Sequence, residues 1–151
     1  MKHIASIALA FAAASLCAPA SAQFAKSEDA IKYRQSALCV MQQTFSRVAA
    51  MAAGKAPFDA KVAAESAAVA EYTSKLPWVA FGEGTDKGRD NRAKTEIWSD
   101  KAKFNEYAEK SQMEMAKLSA AAKTGSLDAI KGAVGAVGGT CKTCHDAFRK
   151  D

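Results

Sequence analysis

The sequence predicts an all-α protein, an antiparallel up-down-up-down four-helix bundle, on three observations. Apolar residues recur at spacings of three and four along long unbroken stretches, helix-capping residues stand at the heads of those stretches, and no alternating run of β-branched residues appears anywhere. The 151 residues suit one domain, and 49% apolar with 25% charged residues is the balance of a folded chain rather than a disordered one. Only 9 glycines and 3 prolines interrupt it, too few for a turn-dense β protein.

The first helix is expected over residues 27–52, starting where Ser27 precedes Glu28 and Asp29 and stopping before Gly54. Its seam reads Ile31, Arg34, Leu38, Met41, Phe45 and Val48. Asp59 caps a second helix that stops near Lys75 because Pro77 follows, and its alanines are too numerous for a seam to be picked out. Ser99 and Asp100 open a third, which runs through Ala122 to Gly125 with Phe104, Ala108, Ser111, Met115, Leu118 and Ala122 along one face. Ser126 caps the fourth, expected to reach nearly to Asp151, with Leu127, Ile130, Val134, Val137, Cys141, Cys144 and Phe148 in line. The glycine-punctuated, charged stretch between Pro77 and Trp98 fits no element.

Residues 1–22 stand apart from this pattern. Lys2 and His3 precede an uncharged run too short to span a bilayer, and Ala20, Ser21 and Ala22 are the small residues a signal peptidase needs. Cleavage after Ala22 is expected, leaving residues 23–151 as an exported, periplasmic domain without a membrane anchor. Leu16 before Cys17 argues against a lipid-modified cysteine, where a small residue is wanted. The net charge of +5 loses only Lys2 with the leader, and the remaining lysines are scattered among acids. That pattern speaks for a solvated surface and against nucleic acid, while leaving an acidic protein partner open through steering.

Cys141-Lys142-Thr143-Cys144-His145 is the motif that carries chemistry. On a helix, positions i, i+3 and i+4 share one face, so both thiols and the imidazole point into the same seam. Two thiols at that spacing can add across the vinyl groups of haem, and the next residue can ligate the iron. Covalent attachment takes place outside the cytoplasm, in keeping with the export signal. The rival readings fit less well: a four-ligand zinc site would have to draw in Cys39, far away in sequence, a thioredoxin-like pair belongs at a helix start after a strand, and a disulfide within a helix is strained. One haem c per chain is expected, held by Cys141, Cys144 and His145. Arg34 interrupts an apolar seam, and a buried charge needs an acidic partner. A haem propionate is the candidate, with Gln35 beside it as a second donor; the alternatives are a snorkelling arginine or a pair with Glu96.

The chain resembles cytochrome c′, the class II c-type cytochromes whose haem motif lies at the carboxyl end. The stretches that carry the likeness include Lys32-Tyr33-Arg34-Gln35-Ser36-Ala37-Leu38, Leu76-Pro77-Trp78, Glu96-Ile97-Trp98-Ser99-Asp100 and the run from Cys141 to Lys150, in the family's order. The resemblance implies a five-coordinate, high-spin haem with His145 below and Leu38 shielding the sixth position. It further implies Arg149 near the proximal pocket, Trp78 and Phe81 as distal-side aromatics, and Thr95 and Glu96 along the haem edge. Met41, three residues beyond Leu38, is read as packing on the ring edge; a low-spin iron ligated by Met41 is the alternative. The function expected is electron transfer with an unidentified redox protein, the binding of small diatomic gases such as nitric oxide and carbon monoxide, or both. An enzyme is disfavoured: a peroxidase wants a distal acid–base group, and the mature chain has only His145.

Proteins resembling this one commonly dimerise through the first helix, so a homodimer is expected. Cys39 lies with Lys32, Gln35, Gln42 and Ser46 on a polar stripe, expected to point away from the distal haem face. There it is either a free thiol, the reading preferred, or bridged to its symmetry mate across a two-fold axis.

Overall fold

The computed structural model describes residues 23–88 and 91–150, so the expected leader over residues 1–22 and the chain end at Asp151 lie outside the described residues. Four long helices, α1 (Ser27–Ala52), α2 (Ala60–Thr73), α4 (Lys101–Lys123) and α5 (Leu127–Phe148), are joined by short turns except between α2 and α4. That connection holds a 3-10 turn (Pro77–Ala80) and a single helical turn, α3 (Glu96–Ser99). Among the described residues there is no strand, only an isolated antiparallel bridge between Ala93 and Arg149.

Three of the four long helices are capped as their sequences predict. Asp59 accepts from Val62 N at 3.0 Å, Asp100 from Lys103 N at 3.2 Å and Ser126 from Ala129 N at 3.3 Å, each relieving one amide that the first turn leaves without a carbonyl. The third helix therefore starts at Lys101, not Ser99, and Ser99 belongs to α3. Ser27 is already helical, and α1 has no side-chain cap; Glu28 and Asp29 in its first turn still face the positive end of the helix dipole. Gly54 and Gly125 follow α1 and α4 at φ 70° and 71°, where a side chain would be strained.

α2 stops at Thr73 rather than Lys75. The Thr73 hydroxyl bonds back to Val69 O and that of Ser74 to Glu71 O, and Pro77 then starts the 3-10 turn. α5 ends at Phe148, short of the chain end, because the backbone of Arg149 turns extended to make the bridge with Ala93.

The main core joins Val48, Met51 and Ala52 of α1 with Ala63, Ala67 and Ala70 of α2, Met115, Leu118 and Ala122 of α4, and Ile130 and Val137 of α5. The alanine seam that could not be picked out is thus real, and its small side chains share this core with larger ones on α1, α4 and α5. Every expected seam residue of α4 is buried. On α1 and α5 the seams split: Ile31, Val48, Ile130, Val137 and Phe148 are buried, whereas Leu38, Met41, Phe45, Val134, Cys141 and Cys144 are only half covered. Most of the half-covered residues border one cavity.

Candidate functional site

The cavity holds about 680 Å³. Leu38, Met41 and Phe45 of α1 form one wall, Trp78 and Phe81 a second, and Phe104, Cys141, Cys144 and Phe148 of α4 and α5 a third, with Arg34, Gln35, Asn91, Arg92 and Arg149 among the polar residues that also line it. Phe81, Ile97, Phe104 and Phe148 of these walls form a second apolar cluster, in which rings meet edge to face, Phe81 with Phe104 at 4.9 Å and Phe104 with Phe148 at 5.3 Å.

Both motif thiols border this space, as their shared helical face requires. Burial raises the Cys141 thiol above its ordinary range; burial, with Cys141 beside it, pushes Cys144 up to about 11. No group of three or more His, Cys, Asp or Glu side chains among the described residues is placed to hold a metal ion, so the zinc reading has no ligand set. His145 touches both the cavity and a polar depression outside it that Arg92, Lys94, Arg149 and Lys150 surround. Partial burial of its ring lowers its pKa, the charge of Arg92 adds to this, and Asp146 opposes it. The neutral imidazole, the form that binds iron, is thereby favoured. Arg149 places Nη1 3.5 Å from His145 Nδ1.

Arg34 is buried, 2% exposed, and the alternatives of snorkelling or pairing with Glu96 do not hold. Nη1 donates to Ala80 O at 3.0 Å and Thr85 Oγ1 at 2.9 Å; Nη2 donates to Thr85 O at 2.8 Å and Asn91 Oδ1 at 3.0 Å. Its plane also lies 4.3 Å from the centre of the Phe81 ring. Burial lowers its pKa to about 10, still well above neutrality, so a charged guanidinium is held by neutral acceptors of the connection. Gln35, half-buried, joins Arg34 on the cavity wall.

Thr95 and Glu96 are exposed and not among the cavity's lining residues; the Thr95 hydroxyl donates to Glu96 Oε2 at 3.3 Å. Cys39 is exposed and sits with Gln42 and Ser46 at the cavity's rim, closer to the site than its position on the helical wheel implies. Thr85, Asn91 and Arg92 are the residues that sequence reasoning missed. They lie in a stretch without periodicity, and their placement is set by contacts far along the chain.

The donor set and the cavity together fit haem: two neutral thiols three residues apart, an imidazole on the next residue, and a large apolar space walled by aromatic and aliphatic side chains. The Cytochrome C′ family profile matches residues 29–149. Cytochrome c′ of Rubrivivax gelatinosus is 56% identical over 128 residues, 85% of this chain and 99% of that protein. Its crystal structure superposes with a TM-score of 0.82, covering 85% of this chain and 100% of that one. A nitric oxide complex of a leucine-to-alanine variant of cytochrome c prime from Alcaligenes xylosoxidans superposes with a TM-score of 0.79 at 47% identity, covering 85% and 99%. The helical bundle, the carboxyl-terminal position of the motif and these likenesses agree, and the chain belongs to the cytochrome c′ family, proteins that carry covalently bound haem c.

Proposed function

We propose that this is a periplasmic haem protein, high-spin and five-coordinate, which binds small uncharged gases, nitric oxide above all, or passes electrons to a redox protein, and is not an enzyme. Cys141 and Cys144 would hold haem through thioether bonds, His145 would ligate its iron, and Leu38 would shield the gas-binding position. Bound haem supplies the iron that takes up an electron or a gas ligand. The observation that carries the reading is the wall made by Leu38, Met41 and Phe45: an aliphatic and aromatic surface without an acid–base group. His145 is the only histidine among the described residues, and it would be taken up in ligating the iron. A side chain of this kind keeps water and anions out and offers no hydrogen bond to steady dioxygen. The nitric oxide complex of the Alcaligenes relative supports the same ligand class here.

The deciding experiment is the absorption spectrum of the reduced protein, alone and with nitric oxide or carbon monoxide. A high-spin spectrum that changes on adding gas supports the reading; a methionine–iron band at neutral pH would make Met41 the sixth ligand. Turnover of hydrogen peroxide faster than by free haem would instead establish a peroxidase. Leu38→Ala removes bulk from the gas side. Relief of crowding worth about 1–3 kcal/mol raises carbon monoxide affinity ~10- to 100-fold by titration, and an unchanged affinity shows that Leu38 does not face the ligand.

We further propose a homodimer through α1. Val40 on that helix and Val69 and Tyr72 on α2 are exposed apolar side chains suited to such a contact. Cys39 remains a free thiol in it. Electrophoresis without reductant is expected to show a monomer band with one titratable thiol per chain, whereas a band of twice the mass that collapses on reduction would establish a bridge.

A further inference from the structure

The last turn of α5 carries His145, and its end is capped from outside. Arg149 leaves the helix in an extended conformation without the left-handed glycine that often satisfies terminal carbonyls. The strap of residues 91–94 takes over that task. Lys94 N donates to Phe148 O at 2.9 Å, Lys94 Nζ to Asp146 O at 2.9 Å, and Lys150 N returns to Arg92 O at 2.8 Å.

One side chain holds the strap in register. Asn91 Oδ1 accepts from Arg34 Nη2 at 3.0 Å and from Ala93 N at 3.1 Å, while Asn91 Nδ2 donates to Thr85 O at 3.1 Å. Arg34 stands one helical turn before Leu38 on α1. A single amide is therefore the joint between the helix of the cavity's aliphatic wall and the strap that caps the helix of the imidazole. Both halves of the amide are in use, so a carboxylate would keep the two accepted bonds and lose the donated one. An alanine would lose all three.

We propose that Asn91 is a positioning residue for His145: it holds the strap as an external cap on the last turn of α5, so that the imidazole and the Leu38 wall belong to one hydrogen-bonded frame. The proposal rests on the reading that His145 ligates the haem iron. An uncapped final turn frays, and a fraying turn lets the imidazole tilt.

The test uses the haem-loaded protein, comparing wild type with Asn91→Ala, Asn91→Asp and Ser126→Ala, the last loosening the opposite end of α5. Two signals are read: the iron–histidine stretching band of the reduced protein and the amide exchange of Lys94 and Lys150. In Asn91→Ala the two amides exchange at least ~10-fold faster and the band shifts or broadens. Asn91→Asp retains the wild-type band, and Ser126→Ala lowers the melting temperature without moving either signal. A wild-type band in Asn91→Ala, or an equal band shift in Ser126→Ala, overturns the proposal. Should Asn91→Ala not accumulate, Lys94→Met, which removes only the bond to Asp146 O, carries the test, and an unmoved band in it overturns the proposal too. A wild-type protein with no iron–histidine band refutes the ligation reading itself, before any variant is compared.

Discussion

Replacing Cys141 and Cys144 together by serine is expected to abolish covalent haem, so that acid–acetone extracts all colour from the double variant and none from the wild type. Thioether formation needs sulfur nucleophiles, and a serine hydroxyl, with a far higher pKa, does not add to a vinyl group under the same conditions. Each single variant keeps one bond and should retain colour on extraction, with an altered absorption band. The consequence for folding is as large as that for colour. Without the ring, Leu38, Met41, Phe45 and Trp78 would stay only half covered beside a water-filled space of about 680 Å³. Covering one such side chain fully stabilises a fold by about 1.5–3 kcal/mol, and a domain has only about 5–15 kcal/mol in all. Four side chains left half covered therefore forfeit about 3–6 kcal/mol, a large share of that margin. Chain made without haem is expected to keep helical circular dichroism but lose a cooperative melt, and a sharp transition near that of the wild type would disprove the dependence.

The same cavity explains which parts of the fold were legible in the sequence. Asp59, Asp100 and Ser126 act on amides three residues away, so three helix starts follow from local chemistry alone. The motif thiols and His145 are likewise brought together by helical geometry within five residues. The seams of α1 and α5 were legible as seams, but not divided. Leu38 and Val48 obey the same spacing, yet one borders the cavity and the other the main core, and only the neighbouring helices decide which. The connection between α2 and α4 was illegible for a further reason. Its order comes from Arg34, 51 residues before Thr85, and from the bridge to Arg149, so no window of sequence contains both partners. An arginine in an apolar seam was legible as an anomaly, and a carboxylate is the partner electrostatics first suggests. The structure surrounds this guanidinium, on the cavity wall, with four neutral protein acceptors as well, which a charge argument does not anticipate.

Arg34→Leu is accordingly expected to cost about 3–4 kcal/mol and to lower the melting temperature of the haem-loaded protein by ~10–20 °C. Leucine matches the seam, so the loss is not a cavity effect. It comes from leaving Ala80 O and Thr85 Oγ1 without their donor, and from taking one of two donors away from Thr85 O and from Asn91 Oδ1, which keep Asn91 Nδ2 and Ala93 N. Each such loss costs about 1–3 kcal/mol when water is kept out, and less where the surface connection lets water in, which keeps the total below the simple sum. Loss of the guanidinium from the Phe81 face adds a smaller amount. Arg34→Lys separates charge from geometry. The ammonium retains the positive charge but presents its donors from one nitrogen, so it cannot span both Ala80 and Asn91, and at least half of the destabilisation should remain. If charge toward a haem carboxylate were the main role, lysine would instead restore nearly all of the stability, and the two melting curves distinguish these outcomes directly. A leucine variant that melts within a degree or two of wild type would show that the connection stands without its arginine, and that the four bonds are replaced by water at no cost.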